Sequence, residues 1–238
     1  MRCFAARTVE RKGAVALLDF HAHILPGADH GSDGLETSLR QLELAEQAGI
    51  DLIVATPHFY PQADDFRHFL HKRAQTRAQL LEHYRGPIRI LTGAEVHMCV
   101  GLDHLDGLEE LCIPGTNVML CELPFRGLSG SLTETFQRLM EERGIRPVLA
   151  HVDRYEPTQI DNLFSMGLQG QLNAEPFTRR FHRRRLLPWI DQGSIVALGS
   201  DIHGTEIGYR HYLAARDFLG PRFDTVEGRV RALLQDAL

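Results

Sequence analysis

The stretch DFHAHILPGAD (residues 19–29) places His21, His23 and Asp29 directly after an apolar run. Similar side chains follow later apolar runs: His58 in TPHF, Glu95 in GAEV, Glu122 in CELP, His151 in AHVDRY, and Asp201 with His203 in SDIHG. Taken singly each is a weak sign. A histidine after a strand is commonly a hydrogen-bonded loop residue, and a carboxylate there often caps the next helix. As a set, imidazoles and carboxylates with no thiolate beside them are the donors of borderline or hard divalent ions such as Zn, Mn or Fe. His21, His23, Asp29, His58, Glu95, Glu122, His151, Asp201 and His203 are too many ligands for one ion and would fill two or three sites. Only four of them are carboxylates, so three divalent ions would leave the cavity net positive, which suits a phosphate dianion. Paired ions can also activate water and clamp the attacking and leaving oxygens of a displacement.

The elements that must carry these residues are seven short apolar runs, at 14–20, 51–56, 88–93, 117–123, 146–151, 168–173 and 194–200. Runs of this kind suit strands buried on both faces of a parallel sheet. Helical patterns at 34–48, 64–84, 131–144, 178–192, 211–219 and 224–237 lie between and after them. Asp33 with Glu36 resembles a capping box and Gly49 a stop. The βα rhythm predicts an α/β fold with a parallel sheet; seven units favour closure into a barrel, with an open doubly wound sheet as the alternative. Every run ends in a polar residue, the sixth in Asn173. In parallel α/β proteins the carboxyl ends of strands converge on the active site. Neither GxGxxG after a strand nor GxxxxGK[ST] is present.

The chain has 238 residues and a net charge of -5, which gives no electrostatic case for nucleic acid or an anionic membrane. No apolar run approaches the roughly 20 residues of a membrane helix, and MRCFAARTVERKG lacks the apolar core of a signal peptide. Residues 1–13 read as a flexible extension and 14–238 as one domain. Cys3, Cys99, Cys112 and Cys121 form no CxxC pair, which fits a reducing cytoplasm. None has an arginine six positions later; Val9, Leu105, Val118 and Gly127 stand there, so a cysteine-dependent phosphatase mechanism is disfavoured. Of the other histidines, His68, His71, His83, His104, His182 and His211 read as solvated, and His97 as structural or as a support to Glu95. Arg179, Arg180 and Arg183, Arg184 and Arg185 form a basic patch, read as the solvated face of a helix or a dock for an acidic partner.

In this order and spacing DFHAH, TPHF, GAE, Glu122, AHVDRY and SDIH resemble the PHP (polymerase and histidinol phosphatase) superfamily. HILPGAD, IVATPHFYP, HVDRY and the Asn173 region are similar to its bacterial CpsB-type metal-dependent protein-tyrosine phosphatases. The resemblance covers residues 18 to about 210. It implies a distorted (β/α)7 TIM-like barrel of the PHP type with a trinuclear site. One ion would be held by His21, His23, Glu95 and Asp201, a second by bridging Glu95 with Glu122 and His151, and the third by Asp29, His58 and His203. Mn is the expected metal, with Fe or Zn as alternatives.

Arg154, Glu95 and His58 are the expected catalytic residues, and Arg154, Arg210 and Asn173 the expected substrate contacts. The implied reaction is attack of metal-activated hydroxide on phosphotyrosine of a protein, expected to be a bacterial tyrosine kinase controlling capsule or exopolysaccharide. A homo-oligomer stays open. The chain departs from the subfamily at His30, where a second Asp is usual, in HVDRY for HPERY, and after SDxH, where Gly208 takes the place of an arginine and the nearest one is Arg210. The alternatives are a small-molecule phosphatase such as a histidinol-phosphate phosphatase, and a catalytically inactive metal-binding regulatory protein.

Overall fold

The computed structural model describes residues 17–125 and 127–238; the 1–13 extension and Cys3 lie outside them. Nine strands run in chain order: β1 (Leu17–Ala22), β2 (Ile50–Ala55), β3 (His58–Phe59), β4 (Arg89–Thr92), β5 (Glu95–His97), β6 (Val118–Glu122), β7 (Arg146–Leu149), β8 (Gln169–Asn173) and β9 (Ile195–Gly199). All pairings are parallel, in the orders β1-β2-β4 and β3-β5-β6-β7-β8-β9.

Nine strands stand where seven runs are expected, because β3 and β5 lie just past the ends of the second and third runs. Pro57, with no N–H to donate, separates β2 from β3. Gly93 and Ala94 separate β4 from β5, and the Gly93 and Glu95 amides donate to the carbonyls of Ala55 and Pro57 across the break. The ring closes between its first and last strands through a bridge from Ala22 to Ile202. There the Asp201 amide donates to the His21 carbonyl at 2.8 Å. The result is a distorted (β/α)7 barrel.

The helices are α1 (Leu35–Ala48), α2 (Phe66–His83), α3 (Gly130–Glu141), α4 (Pro157–Ser165), α5 (Leu187–Asp191), α6 (Arg210–Leu219) and α7 (Pro221–Leu233). α1 ends at Gly49 in a left-handed cap, φ 84°, as the sequence suggests. Its start differs: Gly34 is the cap, and the Asp33 carboxylate accepts from the Thr37 hydroxyl instead of capping a backbone amide. The expected helix over 178–192 is replaced by 3₁₀ turns at Glu175–Thr178 and Arg183–Leu186 followed by the short α5. Pro176 and Pro188 sit at the start of the first turn and of α5, and proline cannot donate into a continuous helix. α4 was not expected; it begins on Pro157, a residue suited to a first helical turn.

Leu18 and Phe20 of β1 pack with Val54, Leu120 and Val148 and with Val230 and Leu233 of α7. Within this packing Glu227 is buried at 2 % exposure. Its carboxylate accepts from the Leu18 amide at 3.2 Å and from the Tyr212 hydroxyl at 3.3 Å, with Arg231 3.9 Å away. Burial pushes its carboxyl up to about 8, against the nearby Arg231 charge.

A carboxyl raised above its unfolded value binds more protons in the folded state. Its stabilising contribution is therefore complete below about pH 4.5 and is lost as pH rises toward 8. The expected result is that Glu227→Gln melts several degrees higher relative to the parent at pH 8 than at pH 5. Thermal melts at the two pH values check this, and an unchanged difference would mean the carboxyl is already ionised at pH 5.

Candidate metal centre

Strand periodicity places His21 and His23 on the same side of the chain as it leaves β1, with both rings buried. Their Nε2 atoms face each other at 3.0 Å. Glu95, the first residue of β5, reaches the same point. Its Oε2 lies 3.2 Å from His21 Nε2, 3.3 Å from His23 Nε2 and 3.0 Å from His58 Nδ1. Its Oε1 accepts from His151 Nε2 at 2.7 Å. Glu122, ending β6, has Oε1 3.7 Å from His151 Nε2, and its Oε2 accepts from His97 Nδ1 at 3.1 Å. From the loop after β9, Asp201 Oδ1 lies 3.6 Å from His21 Nε2 and 3.4 Å from His23 Nε2. The His203 ring packs 4.2 Å from that of His23, centre to centre.

All nine expected ligands thus converge on the mouth of the barrel. The ligand atoms of seven of them gather in three sets: His21, His23 and Asp201; His58, Glu95 and Glu122; His23, His58 and His203; Asp29 and His151 stand beside these sets on His23 and Glu95. Asp29 accepts from His23 Nδ1 at 2.7 Å and from the amides of Gly31 and His58, so it orients His23 and ties two loops together.

The donor set fits divalent cations. Glu95 Oε2 is buried with three ring nitrogens around it, yet none makes a hydrogen bond to it; His58 Nδ1 and His151 Nδ1 also lack partners. Two Nε2 atoms at 3.0 Å can coexist only with a proton or cation between them. The electrostatics say the same. Burial opposes charge on His23, but Asp201, Asp29 and Glu95 outweigh it and hold that imidazole well above its ordinary value. Burial likewise opposes charge on Glu95 and Asp201, but the imidazoles hold both carboxyls below theirs. The pocket is built to contain positive charge, which protons or metal ions can supply.

Several supporting residues were not foreseen. Gln171 Oε1 accepts from the His151 amide at 2.7 Å and stands 3.2 Å from His21 Nδ1, so His21 can donate there and keep Nε2 free for a cation. Gln171 also donates to Asn173 Oδ1, and Asn173 donates to Asp201 Oδ2. Asp19, fully buried, accepts from the Ser200 amide and hydroxyl and from the Tyr209 hydroxyl, holding the loop that carries Asp201. A polar residue within an apolar strand was the available signal for Asp19 and Gln171. His151 and Asp201 both adopt left-handed backbone, with φ 32° and 50°.

Arg154 Nη2 donates to Asp201 Oδ2 at 2.6 Å while nearly half of its side chain stays in solvent. Arg210 lies apart, with its guanidinium bound to the carbonyls of Glu206 and Ile207.

Gly31 packs directly on His23. A Cβ there would stand 2.0 Å from His23 Cβ and 2.9 Å from its carbonyl oxygen, neither of which can swing aside. Gly31→Ala is expected to displace His23, lower metal content and cost about 1–3 kcal/mol. Metal analysis beside a denaturant titration checks this; full metal content at parent stability would show that the loop relaxes freely.

The family model described as "Capsular polysaccharide synthesis, CpsB/CapC" matches residues 17–224. The chain belongs to the CpsB/CapC family. The tyrosine-protein phosphatase CpsB of Streptococcus pneumoniae is 23% identical over 228 residues, covering 87% of this chain and 91% of that protein. The tyrosine-protein phosphatase YwqE of Bacillus subtilis (strain 168) is 24% identical over 201 residues, covering 80% and 78%.

A chain from the crystal structures of YwqE from Bacillus subtilis and CpsB from Streptococcus pneumoniae, described as unique metal-dependent tyrosine phosphatases, superposes with a TM-score of 0.77 at 22% identity. It covers 92% of this chain and 95% of its own. Histidinol phosphate phosphatase from Lactococcus lactis subsp. lactis Il1403, complexed with zinc, L-histidinol and phosphate, gives a TM-score of 0.58 at 15% identity, covering 88% and 94%. At these identities the superpositions establish the shared barrel of the CpsB/CapC chain and its neighbours.

Proposed function

We propose that this CpsB/CapC chain is a metal-dependent protein-tyrosine phosphatase acting on a phosphorylated tyrosine kinase of a capsule or exopolysaccharide system, with residues 14–238 as one phosphoesterase domain. The family membership and the relatives' described activity support the reaction. The observation that carries it is Arg154, a half-exposed guanidinium held at 2.6 Å on Asp201 at the edge of the histidine–carboxylate cluster. A cytoplasmic setting accords with Cys99, Cys112 and Cys121, which are all free thiols.

His21, His23, Glu95 and Asp201 would hold one ion, Glu95, Glu122 and His151 a second, and His58 and His203 with Asp29 a third, with Mn as the expected metal. Divalent ions bound there supply Lewis acidity, activating water as the nucleophile and neutralising charge on the transferring phosphoryl group. The chain's own residues do the rest. Asp201 anchors one arm of Arg154, and the other donors of that guanidinium would bind phosphoryl oxygens. Asn173 keeps Asp201 in place through its Nδ2. Gln171 and Asp29 fix the rings of His21 and His23, so that these ligands need no rearrangement on binding. Arg154 and His203 both reach solvent, which suits a phosphorylated side chain presented by a protein better than an enclosed metabolite.

Arg154→Lys tests the reading, because lysine keeps the charge and loses the paired donors. It is expected to keep its fold and metal content while kcat/KM on a phosphotyrosine peptide falls about 10- to 100-fold, roughly 1.4 to 2.7 kcal/mol of transition-state stabilisation. A surface ion pair unconnected to turnover would be worth only about 0–1 kcal/mol. Parent-like kinetics for both Arg154→Lys and Arg154→Ala would remove Arg154 from phosphate binding.

A further inference from the structure

The buried face of α1 consists of Ser38, Gln41, Leu42, Ala45 and Ala48. This is the stripe of a helix packed on a core, where an apolar residue is the ordinary occupant. Gln41 stands in it at 0% exposure. Its Nε2 lies 3.1 Å from the Gly31 carbonyl, 3.1 Å from the Gly204 carbonyl and 3.4 Å from the His23 carbonyl. Only the NH2 end of a glutamine can face three carbonyl oxygens, so the orientation of the amide is fixed. Its Oε1 is left buried without a hydrogen-bond partner among the described residues. An unpaired buried acceptor weakens a fold, so packing does not explain a glutamine at this position.

The three carbonyls come from segments far apart in the chain, and each segment carries a candidate metal ligand. His23 is itself one, Gly31 lies two residues past Asp29, and Gly204 directly follows His203. The Gly204 amide also donates to the Gly31 carbonyl at 2.7 Å. One helix side chain therefore joins the ligand segments that leave β1 to the one that follows β9.

The barrel supports its ligands unequally. His21, Glu95 and Glu122 stand on strands and are buried. His203 stands on a loop, with its side chain 32% exposed. It completes the set His23, His58 and His203, its ring 4.2 Å from that of His23. The Asp29 loop has supports besides Gln41: the Ser32 and Ser38 hydroxyls meet at 2.7 Å, and Lys72 Nζ donates to the Ala28 carbonyl at 2.9 Å. Gly204 is tied across the mouth through Gly31 and Gln41.

We infer that Gln41 is a positioning residue of the metal centre: it clamps the His203 loop onto the His23 and Asp29 segments, and so sets the affinity of the ion that His58 and His203 would hold. The inference rests on the metal-dependent reading and adds to it a residue that touches no ion itself.

The test uses the full chain and Mn. Gln41→Met keeps the length of the side chain and removes its donors. Calorimetric titration is expected to show one ion, the one that His203→Ala removes, bound about 10- to 100-fold more weakly than in the parent, and the others unchanged. Turnover of a phosphotyrosine peptide is expected to fall about tenfold at limiting Mn and to recover at saturating Mn. The rise in Tm that Mn gives the parent is expected to shrink in the variant. Ser38→Ala removes a buried hydrogen bond of the same helix and is expected to leave every Mn affinity as in the parent.

A purely structural glutamine would lower the metal-free and Mn-loaded melts alike and leave the titration unchanged; that result overturns the inference. So does equal weakening by Ser38→Ala, loosening of a different ion, or failure of both Gln41→Met and Gln41→Leu to fold. The titration needs no turnover. If the parent binds Mn yet hydrolyses no phosphoester, and Gln41→Met still loosens that ion, the phosphatase reading fails and the clamp stands. A parent that hydrolyses phosphotyrosine, with an unchanged titration in the variant, keeps the reading and removes the clamp.

Discussion

Glu95→Gln is expected to lower turnover about 1000-fold, some 4 kcal/mol of transition-state stabilisation, and to remove two of the bound ions. The amide has the shape of the carboxylate but not its charge, and only one of its two terminal atoms can bind a cation. Four imidazoles, from His21, His23, His58 and His151, lie within 3.3 Å of the Glu95 oxygens. Neutralising that one group removes the anion around which they are arranged. Replacing Glu122, whose contacts are His151 and His97, should cost less, because it serves one ion. Metal analysis of protein prepared without chelator, alongside kinetics on a phosphotyrosine peptide, checks this. Near-parent turnover in the Gln variant would contradict the shared carboxylate.

Chelation is expected to abolish activity, and Mn to restore it, in the parent and in a variant carrying Cys99→Ser, Cys112→Ala and Cys121→Ala alike. The thiols are unsuited to nucleophilic work. Burial pushes Cys121 far up and Cys112 up to about 12, and the thiol form is a poor nucleophile. The chelated protein should also melt at a lower temperature, since ligands that bind only the folded state stabilise it by mass action. Loss of turnover in the cysteine variant, with fold and metal content intact, would put a thiol back into the reaction.

The sequence showed the site more clearly than it showed the frame. The nine ligand-type residues were visible because strand ends in a parallel barrel share one face, so chain order alone gathers His21, Glu95, His151 and Asp201. The residues that orient them were not visible in the same way. Asp19 meets Ser200 across 181 residues and His21 meets Gln171 across 150. A hydrogen bond over that separation leaves no periodicity in the chain. The arginine run at 183–185 reads as part of a helix because its residues favour one, but prolines at 176 and 188 divide the segment and Phe218 holds Arg183. Pro57 and Gly93 mark the ends of the second and third runs in the sequence, yet β3 and β5 beyond them are too short to stand out as runs.

The left-handed backbone at His151 and Asp201 sets two kinds of selection against each other. A residue with a Cβ gives up roughly 1–2 kcal/mol in that conformation, whereas glycine gives up little. Replacing either residue with glycine would therefore favour a chain selected only for persistence and ruin one selected for its chemistry. Positions 151 and 201 are where an evolving lineage would first record the loss of that chemistry, because there drift toward a more durable protein runs opposite to retention of its ligands.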